Sequence, residues 1–334
     1  PAFIYSPMQR ARFLAEDATA RLTTILADSA ARDVRVARAQ AFAGLTYVYL
    51  GEAFCTTPID IGTPKAPAEM FGDAIGWFDQ AAATATAAKT YQLGLPTPGT
   101  ATAQAADSVR YLALVGAARA ALNRNDKAKA IEYATQVPAD FVFHAWYSDN
   151  TAGQRHRTYD RLTLGNNGTL AGTPFEAMAD DPRVPRTTTE GARLGTPLSP
   201  PSYSTYTGTI PGGAFAGGMS MRIASGLEAR YIIAEAQGPT EATLAFVNER
   251  RAEGNQTPVT LAGDALMAEL RDQRSRDFYL DNHRLGDLRR YLEFYGVDLF
   301  PSGVYPGTSL SYGTSTCWPL PTNEINGNPN VPRG

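Results

Sequence analysis

Between Tyr111 and Val137 the sequence leaves little freedom of fold. Leu112-Ala113-Leu114-Val115-Gly116-Ala117-Ala118-Arg119-Ala120-Ala121-Leu122 is an unbroken run dominated by helix-favouring residues, and most of them are small. Asn123-Arg124-Asn125 reads as a turn. Asp126 is placed to cap a second helix, Lys127-Ala128-Lys129-Ala130-Ile131-Glu132-Tyr133-Ala134, which must end before Pro138. Two helices joined by a short polar turn, with alanines at their crossing, pack as tetratricopeptide-like hairpins. No strict repeat period is present, so the expectation is a degenerate array of such hairpins.

The residues before this hairpin are helical too. From Ser6, Ala11, Leu14, Ala18, Leu22, Ile25 and Leu26 recur mostly at three- and four-residue steps, which predicts one buried helical face. A second helix is predicted from about Asp33 to Phe54, with Val34, Ala37, Ala41, Leu45 and Val48 on one stripe. A third starts near Pro67, a residue suited to a first helical turn. It carries Phe71, Ala74, Ile75, Phe78 and Ala82, and Pro96 to Gly99 separate it from the next.

From Pro138 to about Ser225 helical periodicity fades, and Gly, Pro, Ser, Thr and aromatic residues take over. Long irregular insertions of this kind serve as functional surfaces or mobile segments. Helices resume at Leu227 to Ala236 and at Thr240 to Glu253. A further helical stretch runs from Asp264 to about Tyr295, with a break expected near Asp281-Asn282. The tail from Gly296 is loop. The pattern predicts one mostly α domain over 1–334. Its parts are a helical scaffold (1–137), a loop-rich body (138–225), and closing helices with a tail (226–334).

Charge narrows the function. The 334 residues carry a formal net charge of -3, and only 19% are charged. Nucleic-acid binders concentrate Lys and Arg on one face, and Arg10/Arg12 and Arg289/Arg290 are too small as clusters to do so. No stretch approaches the ~20 apolar residues that span a bilayer. The chain opens Pro1-Ala2-Phe3 without an initiating Met, the pattern of a processed or incompletely covered product.

Catalytic signatures are absent as well. There is no Gly-x-Ser-x-Gly elbow and no His-Glu-x-x-His, and the three histidines, His144, His156 and His283, lie far apart. The glycine run from Gly208 to Gly218 lacks the strand, helix and Lys-Ser/Thr of a phosphate loop. No cofactor or metal site is expected. Cys55 and Cys317 leave two readings open, separate buried thiols or a disulfide. Such a disulfide would close a very long loop, and the chain-entropy model gives it roughly 4–5 kcal/mol.

Arg274, Arg276, Asp277, Arg284, Asp287 and Arg290 form a constellation of paired charges. Arg284, Asp287 and Arg290 step by three and stack on one helix face. Planar guanidinium forks suit carboxylates, so these residues are expected to tie the last helices to neighbouring loops, with Glu324 on the tail as a further partner. Sugar binding needs aromatic faces beside planar polar groups. The loop body offers Trp146, Tyr147, Tyr159, Tyr203 and Tyr206, with Asn150 and Arg157, and with Asp149 and Gln154 nearby. Loop aromatics also serve simply to cover a core. Trp77 and Trp318 are expected to pack.

Five segments, in order, resemble the SusD/RagB family. Arg274-Ser275-Arg276-Asp277-Phe278-Tyr279-Leu280-Asp281-Asn282-His283-Arg284-Leu285-Gly286-Asp287-Leu288-Arg289-Arg290 resembles its arginine-rich helix pattern, although Asp281-Asn282-His283-Arg284 replaces the usual Glu-Gly-x-Arg. Cys317-Trp318-Pro319-Leu320-Pro321-Thr322-Asn323-Glu324, followed by Asn328-Pro329, resembles the closing motif. Arg230-Tyr231-Ile232-Ile233-Ala234-Glu235-Ala236 is similar to the Arg-Tyr-Ala-Glu-Ala helix. Asp181-Pro182-Arg183 is similar to the Asp-Pro-Arg turn, and Leu50-Gly51-Glu52-Ala53-Phe54-Cys55-Thr56-Thr57-Pro58 to the loop after the second scaffold helix.

The resemblance implies a SusD-like fold and a non-enzymatic, cell-surface nutrient-binding lipoprotein. Such a protein would capture oligosaccharide, or less often peptide, and cap a SusC-like TonB-dependent outer-membrane transporter. Its lipid anchor would lie in an N-terminal segment outside this chain. A cell-surface location also favours the Cys55–Cys317 disulfide. The alternatives are a non-transport surface scaffold that self-assembles and, from the many carboxylates, a glycoside hydrolase.

Overall fold

The computed structural model describes residues 2–157, 173–178, 181–184, 209–210, 213–214, 218, 220–304 and 309–332. Its helices are α1 (Ala2–Leu26), α2 (Val34–Ala53), α3 (Pro67–Leu93), α4 (Thr100–Leu122), α5 (Lys127–Ala134), α6 (Gly226–Gln237), α7 (Glu241–Glu253), α8 (Gly263–Asp277), α9 (Arg284–Tyr295) and α10 (Thr322–Gly327). Short strands pair as β1 (Thr57–Pro58) with β2 (Pro64–Lys65), β3 (Val142–Ala145) with β6 (Met221–Ser225), and β4 (Thr209–Ile210) with β5 (Gly213–Ala214). The fold is mostly α, as the sequence predicts. The chain forms two compact units. The first contains residues 1–143, 224–236 and 316–334, and the second contains 144–223 and 237–315.

In the first unit the helices pack in chain order, α1 on α2, α2 on α3, α3 on α4 and α4 on α5, and α2 also meets α4. The helix starts follow local chemistry. Asp33 caps α2 by accepting from Arg35 N–H at 2.8 Å, Pro67 opens α3, and Asp126 caps α5 by accepting from Lys129 N–H at 3.1 Å. Small residues set the spacing of α2, α3 and α4. A Cβ on Gly44 would lie 2.7 Å from the Phe78 ring, and a Cβ on Gly116 would strike the same ring. Phe78 is therefore a knob from α3 held between backbone surfaces of α2 and α4. Leu50, Phe54, Met70, Leu112, Leu122, Tyr231 and Ile232 complete this core.

A charge cluster lies inside it. Arg119 donates to Glu52 through Nε at 2.7 Å and Nη2 at 2.6 Å, and Asn123 Nδ2 donates to Glu52 at 2.7 Å. Glu228 of α6 stands 3.7 Å from Arg119 Nη1. Burial would by itself push the Arg119 pKa down; Glu52 and Glu228 more than reverse this, so the guanidinium stays charged.

One expectation fails on α1. Its buried residues are Tyr5, Arg12, Ala15 and Thr19, while Leu14 is 51% and Ile25 76% exposed. The inward face is chosen by hydrogen bonds instead. Arg12 Nε donates to Gln9 at 2.9 Å, its guanidinium pairs with Glu16 and Asp60, and Tyr47 O–H donates to Glu16 at 2.8 Å. An apolar stripe predicts burial only where polar partners do not choose another face.

The end of α2 is joined to the tail. Cys55 and Cys317 form a disulfide, with Cα atoms 5.0 Å apart, and the backbone exchanges Cys55 N–H to Trp318 O at 3.0 Å and Trp318 N–H to Ala53 O at 2.9 Å. Trp318 packs edge-on against Phe54, as a packing residue should, and Asn328 Nδ2 donates to Gly62 O at 3.0 Å. Glu324, offered by the sequence as a partner for an arginine, accepts from Asn328 Nδ2 at 3.1 Å and borders Tyr5. Burial first, then Glu324, raises the Tyr5 pKa to about 12.

Two outcomes are expected. Gly44→Ala should lower stability by about 1–3 kcal/mol in urea unfolding, because Phe78 has no room to yield; an unchanged midpoint would contradict the knob arrangement. Replacing both Cys55 and Cys317 with Ser should lower stability by roughly 2–5 kcal/mol, and added reductant should then leave the variant unaffected.

Candidate functional site

The second unit carries α7, α8 and α9, and its ion pairs explain where the arginine constellation goes. Asp181 accepts from Arg183 N–H and Nε, each at 3.0 Å, which closes the Asp181-Pro182-Arg183 turn on itself. Arg183 Nη2 then reaches Gln273 at 2.8 Å, and Arg276 Nη1 reaches Asp181 at 3.1 Å. Arg250 of α7 pairs with Asp277 at 2.8 and 2.9 Å. Turn, α7 and α8 are thus joined by charge-assisted bonds of good geometry.

α8 ends at Asp277 and α9 starts at Arg284, so the helix breaks where the sequence predicts. The six residues between them include two in the left-handed region, Leu280 (φ 62°) and Asn282 (φ 61°). Asn adopts this conformation readily, whereas Leu loses about 1–2 kcal/mol there. Leu280 is held by packing against Met178, Val184 and Tyr279. This turn points the aromatic pair Phe278-Tyr279 away from the helix axes and toward a cavity.

That cavity has a volume of about 490 Å³ and lies wholly within the second unit. It falls inside the range of roughly 300–1,000 Å³ typical of small-ligand sites. Tyr147, Phe175, Phe278 and Tyr279 give its walls aromatic surface. His156, Arg157, Thr173, Ser275, Asn282, His283 and Arg284 give it polar groups. Tyr147 meets the His156 ring edge-on at 4.7 Å, and Phe175 meets Tyr279 at 5.1 Å. Burial raises the Tyr147 pKa, so its phenol stays protonated. His283 Nδ1 lies 2.8 Å from Asp281 O, and since a carbonyl only accepts, Nδ1 bears the proton. Arg222 and Arg274 cover the Phe278 ring at 4.9 and 4.7 Å, which holds it by cation–π attraction.

Asp287 anchors the floor. It accepts from Arg274 Nε at 2.8 Å and Arg290 Nη2 at 2.7 Å, with all three side chains buried. Burial alone would raise its pKa, but the charges of Arg274 and Arg290 outweigh burial and hold it well below the usual carboxylate range.

Of the residues singled out for ligand contact, Tyr147 and Arg157 line the cavity. Trp146 is 78% exposed, and its ring lies tilted against His144 with centroids 5.6 Å apart. Asn150 is exposed, and its N–H donates to Ser148 Oγ. Tyr159, Tyr203 and Tyr206 lie outside the described residues. Phe278, Tyr279, Asn282 and His283 escaped the sequence reading as cavity residues because they sat inside a helix motif. The signal available was an aromatic pair directly after an arginine-rich helix end. Among the described residues no group of His, Cys, Asp and Glu is arranged to hold a metal ion, and no helix is long and apolar enough to cross a membrane.

No protein-family model matches the chain, and neither does any curated protein. Solved structures do. A laminarin-binding SusD-like protein superposes with a TM-score of 0.59 at 13% identity, over 99% of this chain and 85% of its own. A SusD-like carbohydrate-binding protein from Bacteroides vulgatus gives 0.57 at 12% identity, covering 97% and 83%. Surface glycan-binding protein A from Bacteroides uniformis gives 0.54 at 13%, covering 89% and 76%. A mostly α scaffold of helical hairpins is the class these likenesses define. The chain has the SusD-like fold.

Asp287→Asn should lower stability by about 3–5 kcal/mol at neutral pH, since Arg274 and Arg290 would remain buried around a neutral amide. The folded pKa lies below the unfolded value of about 3.9, so this carboxylate contributes stability above that value and loses it as pH falls through the folded pKa. Urea midpoints taken from about pH 6 down to pH 2 should therefore fall more steeply for the parent chain than for Asp287→Asn. Parallel curves would contradict the assignment.

Proposed function

We propose that the chain is a non-enzymatic carbohydrate-binding protein of the cell surface, with the cavity of the second unit as its binding site. The observation that carries this reading is the cavity's composition on a SusD-like fold. Aromatic walls suit the apolar faces of sugar rings, and arginine, asparagine, serine and histidine side chains suit their hydroxyls. The names of the similar structures support the same ligand class, because they include a laminarin-binding and a glycan-binding protein.

The walls come pre-formed. Ion pairs fix α8 and α9, and packing fixes the turn between them, so little ordering is left for the ligand to bring about. Arg274 and Asp287 line the cavity but are engaged with each other at its floor. Among the described residues, no isolated pair of carboxylates lies across it for glycosidic cleavage. In this proposal the protein delivers its ligand to a SusC-like TonB-dependent transporter of the outer membrane, and it is held at the surface by a lipid anchor that precedes this chain.

Isothermal titration against a broad oligosaccharide panel tests the binding step. At least one glycan should bind, and Tyr147→Ala should weaken it about tenfold while the fold is kept. Affinity capture from gently solubilised envelope tests delivery, with a large β-barrel expected in near-equal amount. Recovery of self-assembled copies alone would sink the transporter step, and turnover of a bound glycan would sink the non-enzymatic assignment.

A further inference from the structure

The face that α1 turns away from its neighbours carries large apolar side chains. Phe3, Leu14 and Ile25 are 72%, 51% and 76% exposed. They recur at steps of eleven residues, close to three full turns, so they stand in one line along the helix. On the same side Pro7 and Ala11 are exposed and Ala18 is half-buried. Single exposed apolar residues are ordinary, but a line of them along most of a 25-residue helix marks a contact surface.

Charges run beside this line, and their order decides what it fits. Arg10 lies one turn before Leu14 and is exposed, and among the described residues no carboxylate pairs with it. Asp17 lies one turn after Leu14, where one of its oxygens accepts from Arg21 Nε at 2.8 Å. Two copies of α1 laid antiparallel across Leu14 bring Arg10 of each copy beside Asp17 of the other, twice over by the two-fold axis. The same alignment sets Phe3 against Ile25 at both ends and Leu14 against its own copy in the middle. Antiparallel helices also oppose their dipoles. A parallel pair would set Arg10 against Arg10 and Asp17 against Asp17, which repel.

We propose that α1 is a self-association face, through which two copies of the chain pair antiparallel on Phe3, Leu14 and Ile25. The reciprocal Arg10–Asp17 pairs fix direction and register. This inference goes beyond the carbohydrate-binding reading and needs neither the cavity nor a sugar. One helix from each copy makes an interface at the low end of specific contacts, so the dimer forms with a Kd on the order of 0.1 mM.

Sedimentation velocity of the whole chain, from about 1 µM to about 1 mM, should show the mass rising toward twice the monomer's. Arg10→Asp and Asp17→Arg, each alone, place like charges across the axis and should weaken association at least about tenfold. An equimolar mixture of the two variants should associate again, because each offers the charges the other lacks. Mixing would not rescue variants that had merely misfolded. Leu14→Cys puts a thiol on the axis and should oxidise to a covalent dimer, since the native cysteines are bonded to each other. Ala20→Cys, exposed on another side of α1, should not. A single monomer mass over the whole range overturns the inference. So does association that neither charge variant weakens, absence of recovery in the mixture, or equal cross-linking at both positions.

Discussion

Glu52 is a carboxylate buried in the middle of a helical scaffold, and withdrawing such a group from water costs several kcal/mol unless its partners arrive with it. The partners come from two other helices. Arg119 and Asn123 end α4 and bond it directly, and Glu228 on α6 completes the charge around Arg119. α6 follows residues 144–223 of the second unit in sequence, yet it belongs to the first unit. The return of the chain is therefore required by charge balance as well as by packing. A scaffold of α1 to α5 alone would leave Arg119 with one fewer counter-charge, and it would lose the buried Tyr231 and Ile232.

The second unit solves the same problem differently. Its short helices bury fewer large apolar side chains, and arginine–carboxylate pairs link the pieces that hydrophobic contact alone would leave loosely ordered. Asp277 and Asp181 each accept from more than one direction, so the Asp181-Pro182-Arg183 turn, α7 and α8 hold one another in place. Such pairs add little net stability compared with well-packed apolar groups, but they fix geometry. The benefit falls on the turn from Phe278 to His283, where the aromatic cavity wall is built.

The scaffold was legible in the sequence because its information is local. Asp126, Pro67 and the alanine run of α4 act within a few residues of themselves, and the helix boundaries follow. α1 shows the limit. Leu14 and Ile25 carry the apolar period, but Arg12 needs Asp60 from a distant loop, and that bond turned the helix over. The cavity was legible only in part for the same reason. Tyr147 and Arg157 stand in a segment whose composition announces a loop, whereas Phe278 and Tyr279 follow an arginine-rich helix and read as its continuation. Only the left-handed backbone at Leu280 and Asn282 reveals where they point. The five SusD-like segments pointed to the fold correctly, because their order along the chain is itself long-range information.

The bond between Cys55 and Cys317 has a topological consequence. It turns the stretch between them, 262 residues in separation, into a covalent ring that contains the entire second unit. A ring cut once opens but stays in one piece. A protease that nicks any loop between these cysteines would release no fragment while the bond is oxidised, and the scaffold would keep hold of its cavity-bearing unit. Under oxidising conditions the disulfide thus guards against loss of the second unit as well as against unfolding.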